Sequence, residues 1–167
     1  MICCQYEKME MLPLPFERSL YLDFYDGPLA GYALCSVCHQ CFYFKVLRWE
    51  SSIFCRVFGF APIEMDYDRV EDDMRQWTEK TKLVLDERRK IGNDDLPLPE
   101  STEYAKQIEA AALCLKFTHL CITESYLDRG YWWKMEEADK ELEEHDDWYE
   151  HLGVVYDFRS LTFHLKR

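Results

Sequence analysis

The chain has 167 residues, 48% of them hydrophobic and 16% aromatic, and its formal net charge is −12. This aromatic content is too high for a disordered protein, and the length corresponds to about one domain. Residues 1–62 carry a net charge of −1, whereas residues 63–167 carry −11, from 26 acidic residues and 15 Lys or Arg. Because no basic stripe is present, direct nucleic-acid binding is not expected, and an anionic membrane would repel this surface.

An alternating, aromatic-rich pattern predicts an antiparallel meander of about four strands over residues 19–60. The predicted strands are the segments 19–25, 29–35, 41–49 and 53–60. In the third strand, Phe42, Phe44 and Val46 share one face, and Tyr43 and Leu47 share the other. Two apolar faces are typical of a central strand, or of a sheet that is covered on both sides.

A helical period begins after Pro62. Asp68 and Glu71 predict a capping box for a helix over 68–91, and Gly92 is a typical helix stop. A second helix is predicted from about residue 101 to 113. The next segment, 114–123, fits either a continued helix or a buried strand, and its length and the preceding alanine run favour the helix.

A third helix is predicted over 132–150, and residues 152–166 indicate one or two strands that could rejoin the sheet. The fold class predicted for 1–167 is therefore α+β in a single domain, with the meander packed against two or three helices. Within it, 19–60 is β-rich, 63–151 is mainly helical and 152–166 is the C-terminal strand region.

The segment "GYALCSVCHQCFYF", residues 31–44, contains three cysteines at intervals of three. Cys35 and Cys38 between two strands have the spacing of a zinc knuckle, in which a tight turn directs two thiolates at one metal ion. A separate Cys-x2-Cys pair elsewhere in the sequence, as a full zinc ribbon has, is absent, so the remaining ligands would come from other positions. The predicted set is Cys35, Cys38, Cys41 and Cys55, with His39 or the pair Cys3 and Cys4 as alternatives.

Other interpretations of the cysteines remain open. Reduced cysteines commonly pack as small apolar side chains, which is the simplest alternative. An iron–sulfur run would continue to a Cys-Pro, whereas "CFYF" follows here, and a thioredoxin-like pair would open a helix rather than precede a strand. The eight cysteines occur in a chain whose N-terminus lacks a signal-peptide pattern, so thiols or a metal are favoured over disulfides and a cytoplasmic location is expected.

Residues 136–150 contain nine acids and one basic residue, Lys140. Glu141 and His145 have a spacing that di-iron and zinc sites use, but no matching motif exists on the other predicted helices. A solvated acidic face is the simpler interpretation. A docking surface for a cationic partner is the other, because aromatic residues beside charge are typical interface anchors. The predicted partner-binding residues are Glu136, Glu137, Glu141, Glu144, Asp147, Trp132, Trp133 and Trp148.

No Gly-rich phosphate loop, nucleophile elbow or zinc-protease motif occurs, and no catalytic residue is predicted. The leading hypothesis is a non-enzymatic, acidic cytoplasmic regulator, inhibitor or immunity-type protein that binds a basic protein partner through its helical half. The alternatives are a structural or regulatory protein with one zinc ion, which is compatible with the first hypothesis, and an enzyme with a cysteine or metal centre.

Overall fold

The structure is a computed structural model. It describes residues 11–25, 27–50, 55–123, 129–134, 154–157 and 162–165. The strands in these ranges are β1 (Met11–Pro13), β2 (Phe16–Phe24), β3 (Pro28–Cys35), β4 (Cys41–Glu50), β5 (Cys55–Pro62), β6 (His119–Thr123), β7 (Arg129–Lys134), β8 (Val154–Asp157) and β9 (Thr162–Leu165). The helices are α1 (Tyr67–Ile91) and α2 (Glu103–Leu113).

The predicted meander is confirmed as β2 to β5, in which each strand pairs antiparallel with the next. Strand β4 is a central strand of the sheet, as its two apolar faces indicate. Phe42 and Phe44 are buried on one face, and Tyr43 is buried on the other. The α+β class is therefore confirmed, because this antiparallel sheet occurs in the same chain as two helices.

The expectation of helix beyond residue 114 is wrong where β6 and β7 are concerned. Both strands extend the same sheet, β6 beside β5 and β7 beside β6. His119, Leu120 and Cys121 are consecutive and all buried, which occurs in a strand whose two faces are both covered. Of the predicted third helix, 132–134 belongs to β7, and 135–150 lies outside the described residues.

The sheet curls until its two edge strands meet. Its order is β1-β7-β6-β5-β4-β3-β2, so β1 and β2 are at opposite edges. In a flat sheet of seven strands these edges would be roughly 29 Å apart, at about 4.8 Å per strand. Pro13 and Phe16, which end β1 and begin β2, are three residues apart and can be separated by at most about 11 Å. The chain therefore closes the sheet into a barrel.

Aromatic side chains fill the interior of this barrel. The rings of Phe44, Phe58 and Phe60 pack against one another with centroids 5.8–6.3 Å apart. Phe60 also contacts Trp132 of β7 at 5.0 Å and Phe16 of β2 at 5.3 Å. These contacts join strands from the middle and from both ends of the strand order, which supports the closure.

Glu64–Cys114 forms a compact unit that contains both helices. Helix α1 begins one residue earlier than expected, and its cap is Asp66, whose carboxylate accepts a hydrogen bond from the Arg69 backbone N–H at 3.1 Å. The predicted cap, Asp68, instead lies in the first turn, where its charge favours the helix dipole. Gly92 ends the helix in the left-handed conformation, as predicted.

Polar contacts hold the loop between the helices, and the start of α2, against α1. The Trp77 indole donates to the Pro99 carbonyl at 2.8 Å, and the Arg88 guanidinium donates to the Leu96 carbonyl. The Tyr104 hydroxyl accepts from the Asp66 N–H at 2.8 Å, and the Arg69 guanidinium stacks 3.9 Å from the Tyr104 ring centroid. Since these contacts are local, the helical unit defines its own internal arrangement.

The second compact unit consists of Met1–Ile63 and Leu115–Arg167. Within the region 63–151 that was expected to be mainly helical, β6 and β7 are strands of the sheet, and 135–151 lies outside the described residues. The C-terminal strands β8 and β9 pair with each other in a sheet of their own rather than rejoining the larger one. Neither of the two described helices combines the length and the apolar character that a bilayer crossing requires.

Candidate functional site

Residues 36–40, which we call the cysteine turn, connect β3 to β4. Backbone hydrogen bonds close this turn. The Cys35 N–H donates to the Gln40 carbonyl at 3.0 Å, and the His39 N–H donates to the Cys35 carbonyl at 2.9 Å. His39 adopts a left-handed φ of 53°, which turns the chain into β4. Ser36 anchors the turn to the start of β2, since its N–H and hydroxyl both donate to the Pro15 carbonyl, at 2.7 and 3.0 Å.

The structure brings two of the four predicted zinc ligands to one side of the sheet. Cys35 belongs to the interior core cluster, and the partly buried Cys38 packs against that cluster. Cys41 pairs with Leu34, the residue before Cys35, so the alternation of side chains places Cys41 on the opposite face. The knuckle pair is therefore close in space, whereas Cys41 is separated from it by the sheet.

Cys55 lies at the far end of β5. The Cys41 carbonyl accepts a hydrogen bond from the Ile63 N–H, one residue after the C-terminal end of β5. Cys55, at the other end of β5, pairs with Glu50. The seven-residue offset from Pro62 to Cys55 corresponds to roughly 23 Å along the strand. Four zinc-bound sulfurs must lie within about 4 Å of one another, because each Zn–S bond is about 2.3 Å.

No group of three or more His, Cys, Asp or Glu side chains within the described ranges is arranged to hold a metal ion. The zinc prediction is tested by native mass spectrometry of the untagged protein with and without chelator. A mass equal to that of the bare chain, unchanged by chelator, would show that the protein does not bind zinc.

A small cavity of about 10 Å³ lies in the barrel beside the cysteine turn. This volume holds about one water molecule. The cavity is lined by Pro15, Phe16, Cys35, Phe42, Phe60, His119 and Trp132. It is therefore located where β2 closes against β7.

Cys35 and His119 are the two chemically reactive groups in this lining. His119 is 3% exposed, and its Nδ1 lies 2.9 Å from the Thr118 hydroxyl. A thiol and an imidazole in one cavity are the components of a cysteine nucleophile and its base. Because the space admits little more than a water molecule, a larger substrate would reach Cys35 only after the aromatic lining moved.

The sequence did not single out His119, because its segment was expected to be helical. The signal was the alternation in "KFTHLCIT", residues 116–123, which places His119 and Cys121 on one face of a strand. Cys121 lies in the interior cluster.

Most of the predicted partner-binding residues lie outside the described part of the chain. These are Glu136, Glu137, Glu141, Glu144, Asp147 and Trp148. Trp133 is in β7, and its side chain is also outside the description. Trp132 is 3% exposed inside the barrel, so it is a core residue and not an interface anchor.

An exposed apolar cluster lies at the end of β2 and the start of the following turn. It consists of Tyr21, Leu22, Phe24 and Tyr25, and we call it the aromatic tip. The Tyr25 N–H donates to the Gly27 carbonyl at 2.9 Å, between the end of β2 and the start of β3. The aromatic tip was not predicted as a site, since the same residues also fit a half-buried strand.

No protein-family model matches the chain, and no curated protein or solved structure matches it. Three features of the molecule bear on function: its acidic half, the cysteine turn with its cavity, and the aromatic tip.

Proposed function

We propose that this chain is a small acidic cytoplasmic interaction protein, of the regulator, inhibitor or immunity type, that binds a basic protein partner through its acidic half, residues 63–167. The observation that carries the proposal is the charge distribution. Of the net charge of −12, residues 63–167 hold −11, and nine acids fall within 136–150. So dense a run of like charge is self-repelling, and a cationic partner relieves that repulsion.

The helical unit supports the same proposal. Residues 64–114 contain 14 acids and eight Lys or Arg, a net charge of −6. Asp72, Asp86 and Glu100 form ion pairs within the unit, with Arg75, Arg89 and Lys106. All of these partners are solvent-accessible, so they add little to stability. The unit therefore presents a negative excess to a partner.

The test begins with affinity purification of the intact protein from its native host, followed by measurement of binding to each purified candidate partner. We expect a basic partner whose dissociation constant rises with salt, because surface charges are screened over about 10 Å at 0.1 M. Changing Glu136, Glu137, Glu141 and Glu144 to Gln, with Asp147→Asn, should weaken binding and flatten its salt dependence.

The matched control keeps the charge and changes the side-chain length, with Glu→Asp at the four glutamates and Asp147→Glu. It should bind like the unaltered protein. A partner held equally well at low and high salt, or equally well by the amide variant, would contradict the proposal.

A further inference from the structure

Two overlapping Cys-x2-Cys pairs with identical spacing occur at the cysteine turn. Cys35 and Cys38 form the first pair, and Cys38 and Cys41 form the second. Because the spacings are the same, the sequence gives no reason to prefer either pair. The structure distinguishes them by the face of the sheet on which each side chain lies.

Cys35 and Cys38 lie on the same side of the sheet. Cys35 belongs to the interior core cluster, and Cys38 packs against that same cluster. Cys41 precedes Phe42, whose ring is in the interior cluster, so strand alternation places the Cys41 side chain on the opposite face. Two cysteines whose Cβ atoms point apart cannot be bridged unless the backbone moves. The structure therefore favours the first pair over the second.

The backbone of the turn brings the first pair within disulfide range. The His39 N–H donates to the Cys35 carbonyl at 2.9 Å, which is the hydrogen bond that closes one turn of an α-helix. In such a turn, Cα atoms three residues apart are separated by roughly 5 Å. Disulfide-bonded cysteines usually have Cα atoms about 4.4–6.8 Å apart, so the spacing of Cys35 and Cys38 is within that range.

Exposure determines which of the two thiols reacts first. Cys38 is partly exposed, whereas Cys35 is 1% exposed and lines a cavity with room for about one water molecule. Thiol–disulfide exchange requires a thiolate to reach a disulfide sulfur. A reagent of the size of glutathione can therefore approach Cys38, whereas the packed interior excludes it from Cys35.

We propose that Cys35 and Cys38 form a reversible disulfide by exchange with a low-molecular-weight disulfide of the glutathione type. The Cys38 thiolate attacks one sulfur of oxidised glutathione, which forms a mixed disulfide and releases one glutathione thiolate. Cys35 loses its proton to water and attacks the Cys38 sulfur, which releases the second glutathione thiolate. The two cysteines lose two electrons, and one oxidised glutathione becomes two reduced molecules.

The disulfide would close the cysteine turn covalently beside the cavity, at the place where β2 closes against β7. This makes the pair a redox-sensitive modification site. Both cysteines precede the acidic half, residues 63–167, so the inference does not depend on the proposed function.

The test equilibrates the full-length protein with mixtures of reduced and oxidised glutathione, with a chelator present to keep metal from the thiols. Remaining thiols are blocked with N-ethylmaleimide in urea, disulfides are then reduced, and the new thiols are labelled with iodoacetamide. The tryptic peptide 19–45 contains Cys35, Cys38 and Cys41. In the oxidising mixtures we expect iodoacetamide on Cys35 and Cys38 and maleimide on Cys41, and in the reducing mixtures maleimide on all three.

Matched Cys→Ser variants test the order of the two steps. Cys41→Ser should form the same disulfide as the unaltered protein. Cys35→Ser should stop at the mixed disulfide and carry one glutathione on Cys38, because the second thiol is missing. Cys38→Ser should carry neither a disulfide nor a glutathione on Cys35. Thermal unfolding shows whether each variant is folded, and the labelling of the unaltered protein requires no variant.

Three outcomes would overturn the inference. The first is a disulfide that joins Cys41 to Cys35 or to Cys38. The second is the persistence of both thiols, or of a glutathione adduct on Cys38, in the most oxidising mixture. The third is a dimer on a non-reducing gel that Cys38→Ser abolishes, which would show that Cys38 pairs between two chains. None of these outcomes changes the salt dependence of partner binding, which tests the proposed function separately.

Discussion

At the scale of single residues, two glycines let other groups approach the sheet closely. A Cβ atom on Gly59 would lie 2.6 Å from Cγ of the Phe117 ring, which covers that position. A Cβ atom on Gly31 would overlap the backbone carbonyl oxygen of Leu20 and lie 2.8 Å from Cζ of Phe44. The first obstacle is a side chain that can be removed by substitution, whereas the second includes backbone that cannot.

Gly59→Ala should therefore destabilise the fold by about 1–3 kcal/mol through overpacking. In a Phe117→Ala background the same change should cost less than about 1 kcal/mol, because the obstructing ring is gone. Gly31→Ala should lower the free energy of unfolding by about 3 kcal/mol or more. Adding Phe44→Leu should not restore this stability. Urea unfolding of the single and double variants measures these values. Equal costs of Gly59→Ala in both backgrounds would show that the ring is not the obstacle.

Tyr43 couples stability to alkaline pH. Its ring stacks on Phe117 at 6.3 Å and contacts Tyr32 at 6.0 Å, and burial raises the pKa of the Tyr43 hydroxyl above its usual value of about 10. The folded state holds this proton more tightly than the unfolded state does. The stabilisation is therefore complete below about pH 10 and is lost as the pH rises towards and through the folded pKa.

Tyr43→Phe should make the free energy of unfolding less sensitive to pH above about 10, while the ring packing is retained. The measurement is urea unfolding from pH 8 to 11, with Tyr25→Phe as the control because Tyr25 is exposed. Equal slopes for Tyr43→Phe and the unaltered protein would show that this hydroxyl does not couple to folding.

At the scale of elements, the start of α1 shows how a local motif can be displaced by two residues. Asp68 and Glu71 have the spacing of a capping box, but Asp66 occupies the cap position and bonds the Arg69 N–H. The Tyr104 hydroxyl accepts from the Asp66 N–H. This contact comes from α2 and favours the start of α1 at the earlier residue. A sequence pattern of neighbouring residues cannot predict it, because Asp66 and Tyr104 are far apart in the chain.

Asp66→Ala should destabilise the helical unit by about 1 kcal/mol, because the Arg69 N–H loses its acceptor. Asp68→Ala should cost only a few tenths of a kcal/mol, the value of a favourable charge near the helix N-terminus. Circular dichroism at 222 nm during urea unfolding compares the two variants, which remove the same charge. A larger loss of stability for Asp68→Ala than for Asp66→Ala would show that Asp68, and not Asp66, caps the helix.

At the scale of the whole chain, the closure of the barrel is the property on which the interior depends. Phe16 in β2 and Trp132 in β7 belong to strands on different sides of the closure, yet their rings meet at 6.2 Å. Both rings also contact Phe60. The interior at this end therefore exists only if the sheet has curled.

Trp132→Ala should cost about 3–5 kcal/mol, as expected for removing a buried aromatic residue. The double variant Trp132→Ala with Phe16→Ala should lose less stability than the sum of the two single losses, because the two rings share contacts. The expected coupling energy is at least about 0.5 kcal/mol. Thermal and urea unfolding of the cycle provide the values. Strict additivity would indicate that the two strands do not meet.

The sequence by itself determined the features that depend on near neighbours. The alternation of Phe42, Tyr43 and Phe44 predicted a strand with two apolar faces, and the helical period predicted α1 to within one residue at its start. The charge asymmetry is likewise a property of composition. Each of these signals arises from residues that are two to four positions apart, which is the range over which backbone periodicity acts.

The tertiary structure alone decided which distant residues meet. Strand register placed Cys35 and Cys41 on opposite faces and Cys55 at the far end of β5, although the spacing suggested one site. Closure of the barrel buried Trp132 beside Phe16 and brought Cys35 and His119 to one cavity. It also made β6 a strand, because the edge of β5 and a covered interior outweighed the helical preference of the preceding alanines. The physical reason is that register and closure depend on contacts between residues far apart in the chain, which no local pattern contains.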